Sequence, residues 1–299
     1  MKKYNYEMAV KLKKEYDDGA TQLELDQKYN LRSYYLFKKF NMKCRTSGES
    51  KQIFRRASIH LAWDFAKVES EIQAYILGFL MADGSNNGNQ IIFAQTLKNE
   101  ALITKIKDYF SKQIKLSYTK TSCEFKISSK QACNNLMKWG IVPNKTHSEL
   151  LIPNISSELL RHWIRGYFDG DGTIFVCTKK GIPKYLKGNI CSPTPNILQE
   201  IQQVLAQYEI DSTINREKRI GKVLILPQGT AIGTHDMYRL FFRKKASLQK
   251  LYHFLYDDAT IYLDYKKKVF DDYKHFYDNS EINSNITKGF ESSYSVANE

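Results

Sequence analysis

Two aspartates, Asp83 and Asp171, each close a short apolar run and are followed directly by glycine. The later stretch reads Arg161-His-Trp-Ile-Arg-Gly-Tyr-Phe-Asp-Gly-Asp-Gly-Thr173 and the earlier one Ala74-Tyr-Ile-Leu-Gly-Phe-Leu-Met-Ala-Asp-Gly-Ser85. Aligned on their final glycines, Gly78 matches Gly166, Ala82 matches Gly170 and Asp83 matches Asp171, an internal repeat 88 residues apart. A carboxylate at a helix C-terminus stands against the negative end of the macrodipole and against carbonyls that lack intrahelical partners. Two such ends brought together repel one another, and a divalent cation with a preference for hard oxygen ligands relieves the repulsion. Metals held by carboxylates supply what phosphodiester hydrolysis needs, an activated water and a stabilised leaving oxyanion.

The elements that must deliver these carboxylates follow from the same residues. Gly78 with Ala82, and Gly166 with Gly170, lie four apart and so share one face of each helix, where small side chains allow two backbones to approach closely. The simplest partner for each helix is its own repeat, which predicts a packed pair on a pseudo-twofold axis with Asp83 and Asp171 meeting at one end. A transmembrane dimer is excluded, because the apolar run of the first copy is about half the length a bilayer needs and the second copy contains Arg165 and Asp169.

With these residues in view, the pair resembles the two motifs of the LAGLIDADG homing endonucleases, Ile76 to Gly84 and Ile164 to Gly172 standing in for the nine-residue signature. Met81 and Arg165 depart from the family pattern without touching a ligand position. The resemblance implies a site-specific endonuclease that makes a double-strand break at a long DNA target with Mg2+. It implies that Asp83 and Asp171 hold the metal, with the carbonyls of Ala82 and Gly170 as additional ligands. Lys145, in Gly140-Ile-Val-Pro-Asn-Lys-Thr146, matches a lysine that family members carry near the metals, and Lys266 is the choice for its counterpart, ahead of Lys267. Gln95, just beyond the first hairpin, is expected to hold a water, whereas the corresponding place in the second copy has Ser192-Pro193. Two other readings share the scaffold: a non-catalytic DNA-binding transcription regulator and an RNA-splicing maturase.

The chain has 299 residues, 42% of them hydrophobic and 13% aromatic, ample for a core. Its 45 Lys/Arg against 32 Asp/Glu give a net charge of +13, which points to a polyanion or an anionic surface as partner, nucleic acid being favoured over membrane, and the resemblance implies double-stranded DNA. Five scattered cysteines without a Cys-x-x-Cys pair read as reduced thiols of an intracellular protein, with neither a disulfide framework nor a zinc site. No signal peptide is read at the N-terminus, so the protein is expected not to be secreted or bound to a membrane. It is expected to act as a monomer without a protein partner. The six histidines show no ligand spacing, and there is no Walker loop.

The predicted fold class is α+β: two pseudo-symmetric αββαββα half-domains packed through the motif helices, preceded by a small all-α helix-turn-helix domain. Residues 1–45 are that DNA-binding domain, within a segment (1–56) that carries 14 Lys/Arg against 7 Asp/Glu. Helices are expected at Glu7–Tyr16, from a Thr21/Glu24 capping box to Tyr29, and at Ser33–Phe40, the last offering Arg32, Tyr34, Lys38 and Lys39 to DNA. Residues 46–68 read as a basic linker whose Lys51, Arg55 and Arg56 track a phosphate backbone. The half-domains are assigned to 69–154 and 155–273, and 274–299 to a disordered tail. The first hairpins of the two halves are expected to form one long curved sheet along the major groove, with Gln90, Lys179, Lys184 and Lys187 facing bases.

Overall fold

The protein's structure is a computed structural model, which describes residues 5–46, 48–50, 61–145, 148–226 and 229–278. It divides into two units, 1–60 and 61–299.

In the first unit, helices α1 (Tyr6–Asp17), α2 (Gln22–Tyr29) and α3 (Ser33–Lys39) enclose Ala9, Leu12, Tyr16, Leu25, Leu36 and Phe37. Each start and stop has a local cause. Asn5 accepts from the Met8 amide at 2.9 Å, and Thr21 and Glu24 form the expected capping box. Asn30 ends α2 in the left-handed region at φ 47°, a conformation Asn tolerates better than most residues. The α2–α3 turn is then pinned by the Ser33 amide donating to Asp26 Oδ1 at 2.6 Å.

The second unit begins earlier than its composition suggests. Residues 61–68 are not linker: Trp63 and Phe65 are buried against Phe110, and the Trp139 indole donates to the Phe65 carbonyl at 2.7 Å. The segment reads Leu61-Ala-Trp-Asp-Phe-Ala-Lys-Val68, mostly apolar, and burying its two large aromatic side chains draws it into the core. At the other end the last helix continues to Asp278, so residues 274–278 are helical rather than tail.

The half-domains repeat the same order. The first runs α4 (Glu71–Asp83), β1 (Ser85–Asn86), β2 (Ile91–Thr96), α5 (Glu100–Phe110), β3 (Ser117–Tyr118), β4 (Ser122–Ile127) and α6 (Lys130–Lys138). The second runs α7 (Ser157–Asp171), β5 (Gly172–Lys179), β6 (Ile182–Ser192), α8 (Pro195–Ala206), β7 (Thr213–Glu217), β8 (Val223–Leu226), β9 (Gly229–Ile232), β10 (Met237–Phe242), α9 (Lys245–Tyr256) and α10 (Asp264–Asp278). The sheets are antiparallel, with orders β1-β2-β4-β3 and β5-β6-β10-β7, the same topology once the inserted β8–β9 hairpin is set aside. They are two separate sheets, not the single curved one expected, because each first hairpin pairs with the later strands of its own half.

Helices α4 and α7 lie back to back at the centre. A Cβ placed on Gly78 would come within 2.0 Å of the Trp163 carbonyl oxygen, and one on Gly166 within 2.0 Å of the Tyr75 carbonyl oxygen. Trp163 and Tyr75 are themselves repeat equivalents, so the contact is reciprocal about the expected axis. Helix α4 is buried from Ala74 to Met81, as befits a helix apolar on all sides.

Candidate active site

The helix pair ends where the carboxylates begin. A Cβ on Gly170 would sit 2.3 Å from the Ala82 Cβ and 3.5 Å from the Asp83 carboxyl carbon, so the two Asp-bearing ends meet there. Asp83 is exposed and Asp171 partly so. Burial of the surrounding site, with the Asp83 carboxylate beside it, pushes Asp171 up to about 7, against the pull of Lys145 and Lys266.

Lys145 and Lys266 take equivalent places beneath the two motif helices. Lys145 Nζ donates to the carbonyls of Ala82 and Gly84, each at 2.7 Å. Lys266 Nζ donates to Phe168 (2.8 Å), Asp169 (2.7 Å) and Gly172 (2.5 Å). Burial lowers the Lys145 ammonium, while Asp171 and Asp83 hold it up. Lys266 is fully enclosed, and burial brings it down to about 8 against the pull of Asp169, Asp83 and Asp171. Both lysines satisfy carbonyls that a helix C-terminus leaves unpaired. The Ala82 carbonyl, expected as a metal ligand, therefore already accepts from Lys145. Lys267 turns away to Asp271 at 2.8 Å.

Gln95 reaches the site as expected, its Nε2 donating to Asp83 Oδ2 at 2.6 Å. Sequence reasoning missed what holds it: Asn99 Nδ2 donates to Gln95 Oε1 at 2.8 Å. Asn99 stands at the N-cap position of α5 without making a cap hydrogen bond. In the second half the strand register puts Ser192 in the place of Gln95, since Ile92 pairs with Ser85 as Asn189 pairs with Thr173.

Of the expected DNA contacts, Arg32, Tyr34, Lys38 and Lys39 are exposed on or beside α3, together with Tyr35, which sequence reasoning missed. Lys51, Arg55 and Arg56 lie outside the described residues. Gln90 precedes β2 and donates to Ser128 Oγ at 3.0 Å. Lys187 pairs with Phe175 on the outward face of the second sheet, and Lys179 is exposed near the hairpin tip. Lys184 is exposed and falls at the register shift between the Cys177–Tyr185 and Thr178–Pro183 pairs. Arg239 also stands outward, its Nη1 near Asn189 Oδ1 at 3.3 Å and Cys191 Sγ at 2.9 Å.

The residues fit a hard cation with few protein ligands. Two juxtaposed carboxylates, one with its affinity for a proton raised, are the charge imbalance that such an ion relieves. Among the described residues no cluster of three or more His, Cys, Asp or Glu could hold a metal, so waters and substrate phosphates would complete the shell, as is usual for Mg2+. Among the described residues no helix is long and apolar enough to cross a membrane.

Residues 158–252 match a family model described as the LAGLIDADG-like domain. The fold is similar to that of the LAGLIDADG homing endonuclease I-GzeII in complex with its DNA target, with TM-score 0.51 and 14% identity over 74% of this chain and 96% of that one. It is similar also to the LAGLIDADG homing endonuclease I-SmaMI bound to cleaved DNA, with TM-score 0.51 and 11% identity over 76% of this chain and 96% of that one. The curated DNA-directed RNA polymerase subunit Rpo1C of Methanocaldococcus jannaschii is 26% identical over 212 residues, 68% of this chain. The chain spans only 22% of that subunit's length.

Proposed function

We propose that the chain is a two-motif, single-chain LAGLIDADG homing endonuclease that acts as a monomer and makes a double-strand break at a long DNA site, with residues 1–45 as an added DNA-binding module. The observation that carries this reading is the meeting of Asp83 and Asp171 at one end of a backbone-packed helix pair, with Lys145 under both. Asp83 and Asp171 hold Mg2+, which supplies Lewis acidity for phosphodiester hydrolysis when bound. Gln95 fixes the Asp83 carboxylate, and Lys145 keeps positive charge beside both acids. Lys266 serves the chemistry by holding the end of α7 in place. The exposed side chains of the two sheets, among them Gln90, Lys179, Lys187 and Arg239, contact bases and phosphates.

The test is in vitro selection of cleaved duplexes from a randomised library by the full-length protein in Mg2+, with Asp83→Asn and Asp171→Asn in parallel. Both variants keep the fold, bind the selected duplex and fail to cut it. Binding by the unaltered protein without cleavage would favour the regulator. Normal double-strand cutting by both variants would remove the active-site assignment.

A further inference from the structure

The second half lacks the relay that fixes Asp83. In the first half Asn99 gives up the cap it could make on α5 and donates to Gln95 Oε1 at 2.8 Å. With its oxygen engaged, the Gln95 carboxamide can present only its N–H group to Asp83, which accepts it at 2.6 Å. Asn99 is buried, so this chain of donors is held in one sense. At the equivalent places the second half has Ser192 and Thr194. Ser192 Oγ accepts from the Thr194 amide at 3.1 Å and lies 3.5 Å from Thr194 Oγ1. Its short side chain is turned into its own loop and gives no hydrogen bond to Asp171. What stands near Asp171 instead is the hydroxyl of Tyr167 one turn earlier, where the first half has Phe79.

We infer that Asn99 is a positioning residue that acts through Gln95, and that the resulting inequality of the two half-sites makes the strands break in sequence, through a nicked duplex. This inference rests on the endonuclease reading. In catalysis a carboxylate held in one rotamer is already where the reaction needs it, and the amide relay holds only Asp83. The relay therefore accelerates one strand cut and leaves the other untouched.

Changing Asn99 to Asp reverses the relay without altering its shape. A carboxylate at 99 can only accept, so it takes the Gln95 N–H group and turns Oε1 towards Asp83. The experiment follows a selected target labelled separately on each strand, under single turnover in Mg2+, for the unaltered protein, Asn99→Asp, Gln95→Leu and the double variant. Nicked duplex accumulates before linear product with the unaltered protein. Asn99→Asp slows one strand about tenfold or more and the other by less than about twofold, with target affinity unchanged. Gln95→Leu reproduces the bias, and adding Asn99→Asp to it slows that strand no further, as expected for residues acting in one chain. Equal strand rates in the unaltered protein, equal slowing of both strands by Asn99→Asp, or full additivity in the double variant would each overturn the inference while leaving the nuclease intact. Should Asn99→Asp fail to fold, the strand bias of Gln95→Leu decides alone. Cleavage of neither strand by the unaltered protein would instead remove the endonuclease reading, and the inference with it.

Discussion

The hydroxyl of Tyr75 on α4 donates to Asp169 Oδ2 on α7 at 2.8 Å, a buried hydrogen bond across the helix pair. The same carboxylate oxygen accepts from the Leu263 amide at 2.7 Å, and its partner oxygen lies 3.4 Å from the Tyr256 hydroxyl. Asp169 is thus a structural acid two residues before Asp171. Its burial pushes its proton affinity up, while Lys266 and the donors around it pull it back. Tyr75→Phe leaves a buried acceptor without one of its donors, so thermal or urea unfolding should show a loss of about 1–3 kcal/mol. The fold itself should survive.

Gly166→Leu tests the helix pair directly. Even the first carbon of the new side chain would lie 2.0 Å from the Tyr75 carbonyl oxygen and 2.9 Å from the Phe79 amide nitrogen. Backbone on both sides has no rotamer to give, so the helices must separate. The loss should reach or exceed the roughly 1–3 kcal/mol typical of overpacking, read as a fall in melting temperature together with cleavage. An unchanged melting temperature would contradict the packed pair.

A pH dependence follows from Asp171. Its folded value is raised to about 7 from an ordinary 3.8, so the native protein holds a proton there that the unfolded chain releases. The contribution of Asp171 to stability therefore falls as pH rises from about 4 to about 7 and is flat above, opposed over part of that window by His162, which burial lowers to about 4. In metal-free buffer Asp171→Asn should raise the melting temperature at pH 8, by up to a few kcal/mol in stability, and change little near pH 4. Added Mg2+ should stabilise the unaltered protein at pH 8, because an ion that binds only the native state does so by mass action. It should stabilise Asp171→Asn much less.

A chain beginning at Leu61 should fold alone, since the Ala62 amide already donates to the Phe110 carbonyl at 2.9 Å and Trp63 is in the core. Removing residues 1–60 takes away Arg32, Lys38 and Lys39, together with Lys51, Arg55 and Arg56. Each lost phosphate contact reduces the slope of log affinity against log salt by about 0.9. A titration across salt concentrations should show the flatter slope, and footprinting a shorter protected stretch. Equal slopes would mean that the module reads no DNA.

What could be read from the sequence was whatever repeats or obeys a period. Gly78 and Gly166 announced the helix pair because each marks the same place in two copies, and Thr21 with Glu24 announced α2 because a capping box is local. Residues whose role depends on distant partners stayed hidden. Asn99 showed no role in the sequence, because its partner Gln95 is brought beside it only by the fold. Trp63 and Phe65 were assigned to the linker, and their partners Phe110 and Trp139 lie far along the chain. Lys266 could be picked out as a cation near the site, but the three carbonyls it donates to lie almost a hundred residues earlier and could not. The surroundings of Lys184 were hidden because a register shift, which no local pattern announces, interrupts the strand pairing there.

The reciprocal contact of Gly78 with Trp163 and of Gly166 with Tyr75 is main chain against main chain. The separation of the two helices is therefore a gauge cut in covalent geometry, with no side chain to lengthen or trim. On the endonuclease reading, sequence drift on the outward faces of the sheets would change which DNA is held, but it would not reset the distance between Asp83 and Asp171. Target preference and reaction geometry would then be inherited on separate parts of the molecule, and one could diversify while the other stands still.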